Sequence, residues 1–464
     1  MKAMGYCRAR RQTTRLLLAS LGICLALSAP AFGQSLDESL ASAYTSNPTL
    51  RAARAQLRAV NEGVPQALSN WRPAVTVSGS VGRERVESKS SLSESNDTLT
   101  PAEVTATVSQ PLYRGGRTVA GTERAENEVL AQRATVDSIE QSVLLRAATA
   151  YMDVWRDQSV LDLNTNNERV LQRQLEASQD RFNVGELTRT DVAQSETRLA
   201  TATAGRIAAE GALSTSRAVF EEVVGIAPGT LVQPAPLTDL PGGLEETVQA
   251  AIADNPNVLA ASFTEKAAQM RVREVIGELY PVVSLNASLR HTDETSLRGS
   301  ESDSAEILAE VTVPLYQQGA VSSRVREAKQ ISSQRRVQIE EARRRQEQEA
   351  VSGWRALETA RAQTRSFESG VRSAEIALEG VRQENSVGAR TVLDILDAEQ
   401  ELLDSKVNLV RAQRDSVVAG FQVLSATGRL LARSRSLGVD VYDPDVDYQK
   451  VRDSWFGLEA PGAE

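Results

Sequence analysis

Apolar residues recur at three- and four-residue steps along most of the chain, as in Val136, Ile139, Val143, Ala147, Ala150, Val154 and Leu161, or Val371, Ala374, Leu378 and Val381. That spacing gathers them on one helical face and, kept up over many turns, predicts coiled-coil packing between neighbouring helices. Two such runs, Gly116 to Asn183 and Gly319 to Val387, are each roughly 65 residues, or about 100 Å at 1.5 Å per residue. In four places the period drops to two. Val75, Val77 and Val81 alternate with Thr76, Ser78 and Ser80, and Val104, Ala106 and Val108 with Thr105, Thr107 and Ser109. Further on, Val283, Leu285, Ala287 and Leu289 alternate with Ser284, Asn286, Ser288 and Arg290, and Ile307, Ala309, Val311 and Val313 with Glu310 and Thr312. Period two predicts strands with one apolar and one polar face, about residues 73–87, 101–113, 281–292 and 304–316. Glu87 to Thr100 is a polar, Ser-rich stretch and is expected to be a loop.

Both long runs end in one motif: Val184-Gly185 is followed by Thr188 and Asp191, and Val387-Gly388 by Thr391 and Asp394. The glycine supplies the left-handed conformation that stops a helix, and a Thr with an acid three positions later forms a capping box for the next. Residues 184–191 and 387–394 are therefore the tips of long antiparallel hairpins. The two tips lie 203 residues apart, as do Pro-Leu-Tyr113 and Pro-Leu-Tyr316, while Asn47-Pro48 and Asn255-Pro256 lie 208 apart. This is an internal duplication. The first repeat covers residues 34–224, a Pro-rich linker or equatorial region 225–243, and the second repeat 244–433. Each repeat runs helix, strand, strand, long helix, turn, helix. Residues 434–464, with Asp440, Asp443, Asp445 and Asp447, read as an irregular, partly disordered C-terminal region.

Composition adds a location. Lys2, Arg8, Arg10, Arg11 and Arg15 precede an apolar run from Leu16 to Ala29 and the small-residue end Ala31-Phe32-Gly33, so residues 1–33 read as a signal peptide. Cys7 and Cys24 both lie in it, which leaves the mature chain without thiol chemistry. Its removal takes 5 of the 52 basic residues and none of the 61 acids, so 47 face 61 and the balance becomes −14. An exported acidic protein is a poor nucleic-acid binder. No later stretch reaches the roughly 18 apolar residues of a membrane helix, so entry into a membrane would be by strands. Metal-ligand spacings, phosphate loops and nucleophile motifs are missing from the sequence; no enzyme activity, metal or cofactor is expected. His291, the only histidine, is expected simply to be exposed near a strand end.

Four strands can neither close a barrel nor leave open edges in hydrocarbon. Three chains contributing four strands each make twelve, a size known for membrane barrels. The expected fold is thus an α+β membrane protein, in which long antiparallel coiled-coil helices continue into a trimeric 12-stranded transmembrane β-barrel. A periplasmic coiled-coil structural or adaptor protein is the alternative; it accounts for the hairpins but not for four alternating strands.

The duplicated plan, the two Pro-Leu-Tyr strand ends, Arg181-Phe-Asn-Val-Gly185 and Ser386-Val-Gly-Ala-Arg-Thr-Val-Leu-Asp-Ile-Leu-Asp-Ala398 resemble the TolC family of outer membrane export ducts, over essentially the whole mature chain. The resemblance implies a homotrimer in outer membrane lipid, with the coiled-coil helices closed into a helical barrel that spans into the periplasm of a Gram-negative cell. A periplasmic adaptor and an inner membrane transporter of ABC or RND type would be its partners, and small toxic compounds or a secreted protein its cargo. It also implies a closed periplasmic end. Asp191 and Arg390 fall on the acid and base of a constriction, with Thr190 beside the acid, and Asp394 and Asp397 on a lumenal ring of carboxylates. Such a ring attracts cations and raises some of its own pKa values by like-charge repulsion. Asn385 stands where the family carries a constriction tyrosine. The exposed tips Val184, Gly185, Val387 and Gly388 fall where adaptor hairpins dock.

Overall fold

The computed structural model describes residues 34–89, 94–235 and 237–459; the expected signal peptide at 1–33 lies outside them. Three helices lead in: α1 (Leu36–Ser46), α2 (Pro48–Asn61) and α3 (Gly63–Leu68). Strands β1 (Ala74–Val81), β2 (Glu84–Lys89), β3 (Glu94–Leu99) and β4 (Ala102–Arg114) follow, then α4 (Arg117–Asn183) and α5 (Arg189–Val224). The second half runs α6 (Leu244–Asp254), α7 (Pro256–Ile276), β5 (Val282–Asp293), β6 (Glu301–Thr312), α8 (Ala320–Ser386) and α9 (Val392–Ala426), closing with α10 (Ala432–Arg435) and α11 (Pro444–Arg452). Helices α4 and α8 are each 67 residues long, about 100 Å. Among the described residues no helix is long and apolar enough to cross a membrane.

Strands β1, β4, β5 and β6 form one antiparallel sheet in that order. Its register sorts side chains by face. Val75, Val108, Ala287 and Ile307 make one cross-strand row, and Val77, Ala106, Leu289 and Ala305 the next on the same face. The rows between them are polar: Thr76, Thr107, Ser288 and Glu306, then Ser78, Thr105, Arg290 and Ser304. The apolar face is open, with Val77 and Ile307 more than 70% exposed, and β1 and β6 each leave one edge unpaired. At the upper end of that face His291 contacts Asp303 at 2.8 Å, so the histidine is exposed but partnered.

Three strand expectations need correction, the first being that the strand expected over 73–87 ends at Val81 while Glu84 opens a separate strand, β2. The stretch from Glu87 to Thr100 contains β3 and the end of β2, and β2 and β3 pair as a separate hairpin. Polar bridges span it, with only Leu99 buried among its described residues: Arg85 lies 3.2 Å from Glu87 and donates to Asn96 at 3.0 Å. Without an apolar alternation, the pattern that finds strands is silent there. In the second repeat the last strand stops at Thr312 rather than 316, leaving Leu315 and Tyr316 outside the ladder and almost fully exposed. Pro314, which has no amide proton to give a neighbouring strand, stands just beyond that end.

The main core lies midway along the helices, where Leu40, Tyr44, Leu57, Leu144, Tyr151, Met152, Phe220, Phe421 and Leu424 are buried together. The Tyr151 hydroxyl sits 2.7 Å from the Val232 carbonyl and accepts from the Val232 amide at 3.1 Å; burial pushes its pKa up to about 12. That contact packs the Pro-rich linker onto α4. Each Asn-Pro pair is a clamp as well as a break. Asn47 caps α2 through the Thr49 amide at 2.9 Å and donates to the Val223 carbonyl of α5 at 3.0 Å. Likewise Asn255 caps α7 through the Asn257 amide and donates to the Ala426 carbonyl of α9, both at 2.9 Å. One side chain thus starts a helix and ties it to the end of the returning one.

The C-terminal region is more ordered than expected. Asp443 caps α11 by accepting from the Asp445 amide at 2.9 Å, with Pro444 at the first helical position. Tyr442 donates its amide to the Tyr44 hydroxyl at 2.9 Å, and the Arg54 guanidinium lies over both rings. Residues 460–464, part of the expected disordered end, lie outside the described residues.

Candidate gate at the helix tips

Both tips are built the same way. After α4 the Gly185 backbone turns to φ +84, and after α8 Gly388 turns to φ +78, a region that side chains disfavour. The Glu186 amide returns to the Arg181 carbonyl, and the Ala389 amide to that of Glu384, both at 2.9 Å, closing each long helix. Thr188 and Thr391 then open α5 and α9 through complete capping boxes with Asp191 and Asp394. Val184 and Val387 stand exposed at the outermost turns.

The capping bonds fix both carboxylates. Asp191 accepts from the Thr188 amide at 2.9 Å and hydroxyl at 2.8 Å, which holds it below its ordinary 3.8. Asp394 accepts from the Thr391 hydroxyl at 2.7 Å and amide at 2.8 Å; these bonds, with nearby Arg390, lower it too. Within one chain the shift at Asp394 is therefore opposite in sign to that expected of a ring of like charges. Thr190 lies exposed beside Asp191.

Arg390 does not meet Asp191 within the chain. Its Nε donates to Glu384 at 2.8 Å and its Nη1 lies 3.7 Å from Asp394, so it bridges the last turn of α8 and the first of α9. Asn385 donates its amide to the Arg390 carbonyl at 2.8 Å. Asn385 thus shapes the loop that carries the arginine. The sequence motifs assign no role to Glu384, which stands two residues before the motif at 386–398.

Asp397 is also engaged. Arg198 of α5 donates to it across 199 residues of sequence, a pair with no local signal that could have revealed it. Beside this pair the hairpins share a small apolar seam: Leu171, Ala202, Val392 and Leu396 are buried together, with Leu187 and Leu199 against them. Higher up, Asp153 of α4 lies 2.9 Å from both Arg156 and Arg414 of α9. The seam is the one apolar cluster near the tips among the described residues, far smaller than the core above. Segments with so few buried contacts open at low free energy, which suits a moving part.

Comparison with known proteins agrees with this architecture. A family model described as outer membrane efflux protein matches residues 40–225 and 247–429. Outer membrane efflux protein BepC of Brucella suis is 34% identical over 93% of each chain. Outer membrane protein TolC of Escherichia coli is 25% identical, over 90% of this chain and 87% of that protein. The CmeC outer membrane channel of Campylobacter jejuni superimposes with a TM-score of 0.78 at 15% identity, over 90% of this chain and 89% of that one, which shows a shared fold. All of these are named for the outer membrane, which a wholly periplasmic coiled coil does not match.

Proposed function

Because the chain belongs to the outer membrane efflux protein family, we propose that three copies form a passive exit duct through the outer membrane, serving a tripartite export system and gated at the helix tips. The observation that carries this reading is the four-stranded sheet, apolar on one face and polar on the other, with both edges open and two 67-residue helices beneath it. In hydrocarbon those edges must be paired. Joining β6 of one copy to β1 of the next closes twelve strands without an edge. The apolar rows then face lipid, and a lumen lined by Thr, Ser, Asn286 and the Arg290–Glu103 ion pair carries water.

The height fits. Tyr280 and His291 lie 11 residue steps apart, mostly in β5. At about 3.4 Å each, with a strand tilt of ~40°, they rise about 28 Å, matching the apolar band of such barrels. Trp71, Tyr113, Tyr280 and Tyr316 flank the lower strand ends, all exposed, as an aromatic belt at the periplasmic face does. An inner membrane transporter supplies the energy, and an adaptor reaches the tips at Val184-Gly185 and Val387-Gly388.

In the closed state Arg390 of one copy meets Asp191 of the next, while Asp394 draws cations to the opening. Both charges stand at exposed tips, within reach of a neighbouring chain. The test is single-channel conductance of the detergent-extracted protein in planar bilayers. A small, cation-selective conductance, carried by a trimer, is expected. Release with soluble periplasm and no pore would sink the duct.

A further inference from the structure

The last described segment, residues 453–459, is pinned to the foot of the sheet. Arg72 Nη1 donates to the Ser454 carbonyl at 2.6 Å, and its guanidinium lies 4.7 Å from the centre of the Trp455 ring. Arg72 stands immediately before Pro73 and β1. Its neighbour Trp71 accepts at its carbonyl from Gln110 Nε2 of β4 at 2.8 Å, which fixes the tail's attachment point against the sheet. Upstream, α11 anchors the same segment: Val451 is buried, and Arg452 reaches Glu126 of α4 at 3.4 Å.

From this fixed base the tail holds apolar side chains in the open. Trp455 is 60% exposed, Phe456 89% and Leu458 fully so. No charge interrupts Ser454 to Leu458. A positioned apolar cluster of this kind marks an interaction surface. Its level in the molecule identifies the partner, because Arg72, which holds it, adjoins Trp71, one of the exposed aromatic residues at the lower strand ends. Tryptophan and phenylalanine at the edge of an apolar band partition into the headgroup and upper acyl region of a bilayer, where amphipathic rings are favoured.

We propose that Trp455-Phe456-Gly457-Leu458 is an interfacial anchor that inserts into the periplasmic leaflet of the outer membrane, with phospholipid as its partner. This rests on the reading of the sheet as membrane-spanning. The anchor couples α11, and through it α2 and α4, to the bilayer at a point outside the barrel wall. It fixes the depth of the helices against the membrane.

Bromolipid quenching tests it. The full-length protein is placed in nanodiscs of phosphatidylcholine brominated near the headgroup end of the acyl chains, and its tryptophan emission is compared with that of Trp455→Phe. Of the four tryptophans, Trp71 and Trp455 stand at the interface while Trp155 and Trp354 lie in the helices. The bromine-quenched fraction should therefore fall by roughly half in Trp455→Phe. A control adds Val77→Trp to Trp455→Phe, because Val77 lies on the apolar face. Restored quenching in the control with no difference between wild type and Trp455→Phe overturns the anchor and leaves the sheet in the membrane; that is also the result if a neighbouring copy covers the tail. An unquenched control overturns both readings.

Discussion

The two tips share a turn and differ in what the turn presents. Position for position, Thr188 and Asp191 match Thr391 and Asp394, and the caps are superimposable in their bonds. Yet Leu187 occupies the place of Arg390, Phe182 that of Asn385 and Arg181 that of Glu384. At the first tip the residue before the capping threonine turns inward and packs on Leu171, Val392 and Leu396. Its counterpart turns outward between two acids. Duplication supplied two identical hinges; side chains made one of them part of the seam and gave the other a charged surface. The lesson is that a cap fixes the geometry of a turn while leaving its chemistry free to change.

The largest expected effect is on the seam that both tips share. Leu396 is 1% exposed, and Leu396→Ala should cost about 2–4 kcal/mol locally. Hydrogen exchange of amides near residues 187–199 and 392–396 should then accelerate together, by roughly 30-fold to 10³. Acceleration at one tip alone would break the idea of a common seam. Next comes the asymmetry itself: Arg390→Ser should raise single-channel conductance several-fold, whereas Leu187→Met, which keeps the packed volume, should not. An equal rise in both would erase the distinction.

A smaller effect belongs to Arg198. The Arg198–Asp397 pair is exposed and contributes only about 0–1 kcal/mol to stability. Arg198→Gln should leave the fold intact and free Asp397, so that polyvalent cations block the pore a few-fold more tightly. Adding Asp397→Asn should reverse that gain, and an unchanged block constant in either variant counts against the assignment. Acid is the mildest perturbation and the one that treats the tips alike. Asp191 and Asp394 titrate below their ordinary value, so their capping contribution is present above 3.8 and is lost as the pH falls through the depressed folded values. Conductance should therefore be flat from pH 7 to 5 and rise only in stronger acid; a transition near neutrality would assign the gate to other groups.

What the sequence disclosed follows from how local each cause is. A glycine, a threonine and an aspartate within seven residues write a complete turn, and period-two valines write a strand face; both were legible. The Arg198–Asp397 pair and the grip of Arg72 on Ser454 span 199 and 382 residues of sequence, and no local pattern encodes such distances. The β2–β3 hairpin was hidden because its residues do not alternate between apolar and polar. Helix α11 was a different kind of miss. Asp443-Pro444 followed by Asp445 and Asp447 is a helix start in its own right, and the acids that suggested disorder are the ones that favour a helix N-terminus.

Helices α4 and α8 both begin just below the sheet and both run 67 residues, so together they act as a ruler measured in whole residues. Deleting a single residue from one would shorten it by about 1.5 Å and turn everything below by about 100°, rotating buried positions into solvent. Only changes near four or seven residues preserve the facing surfaces, and only if both helices change together do the tips still end level. The depth to which this protein reaches is therefore heritable in paired, quantised steps.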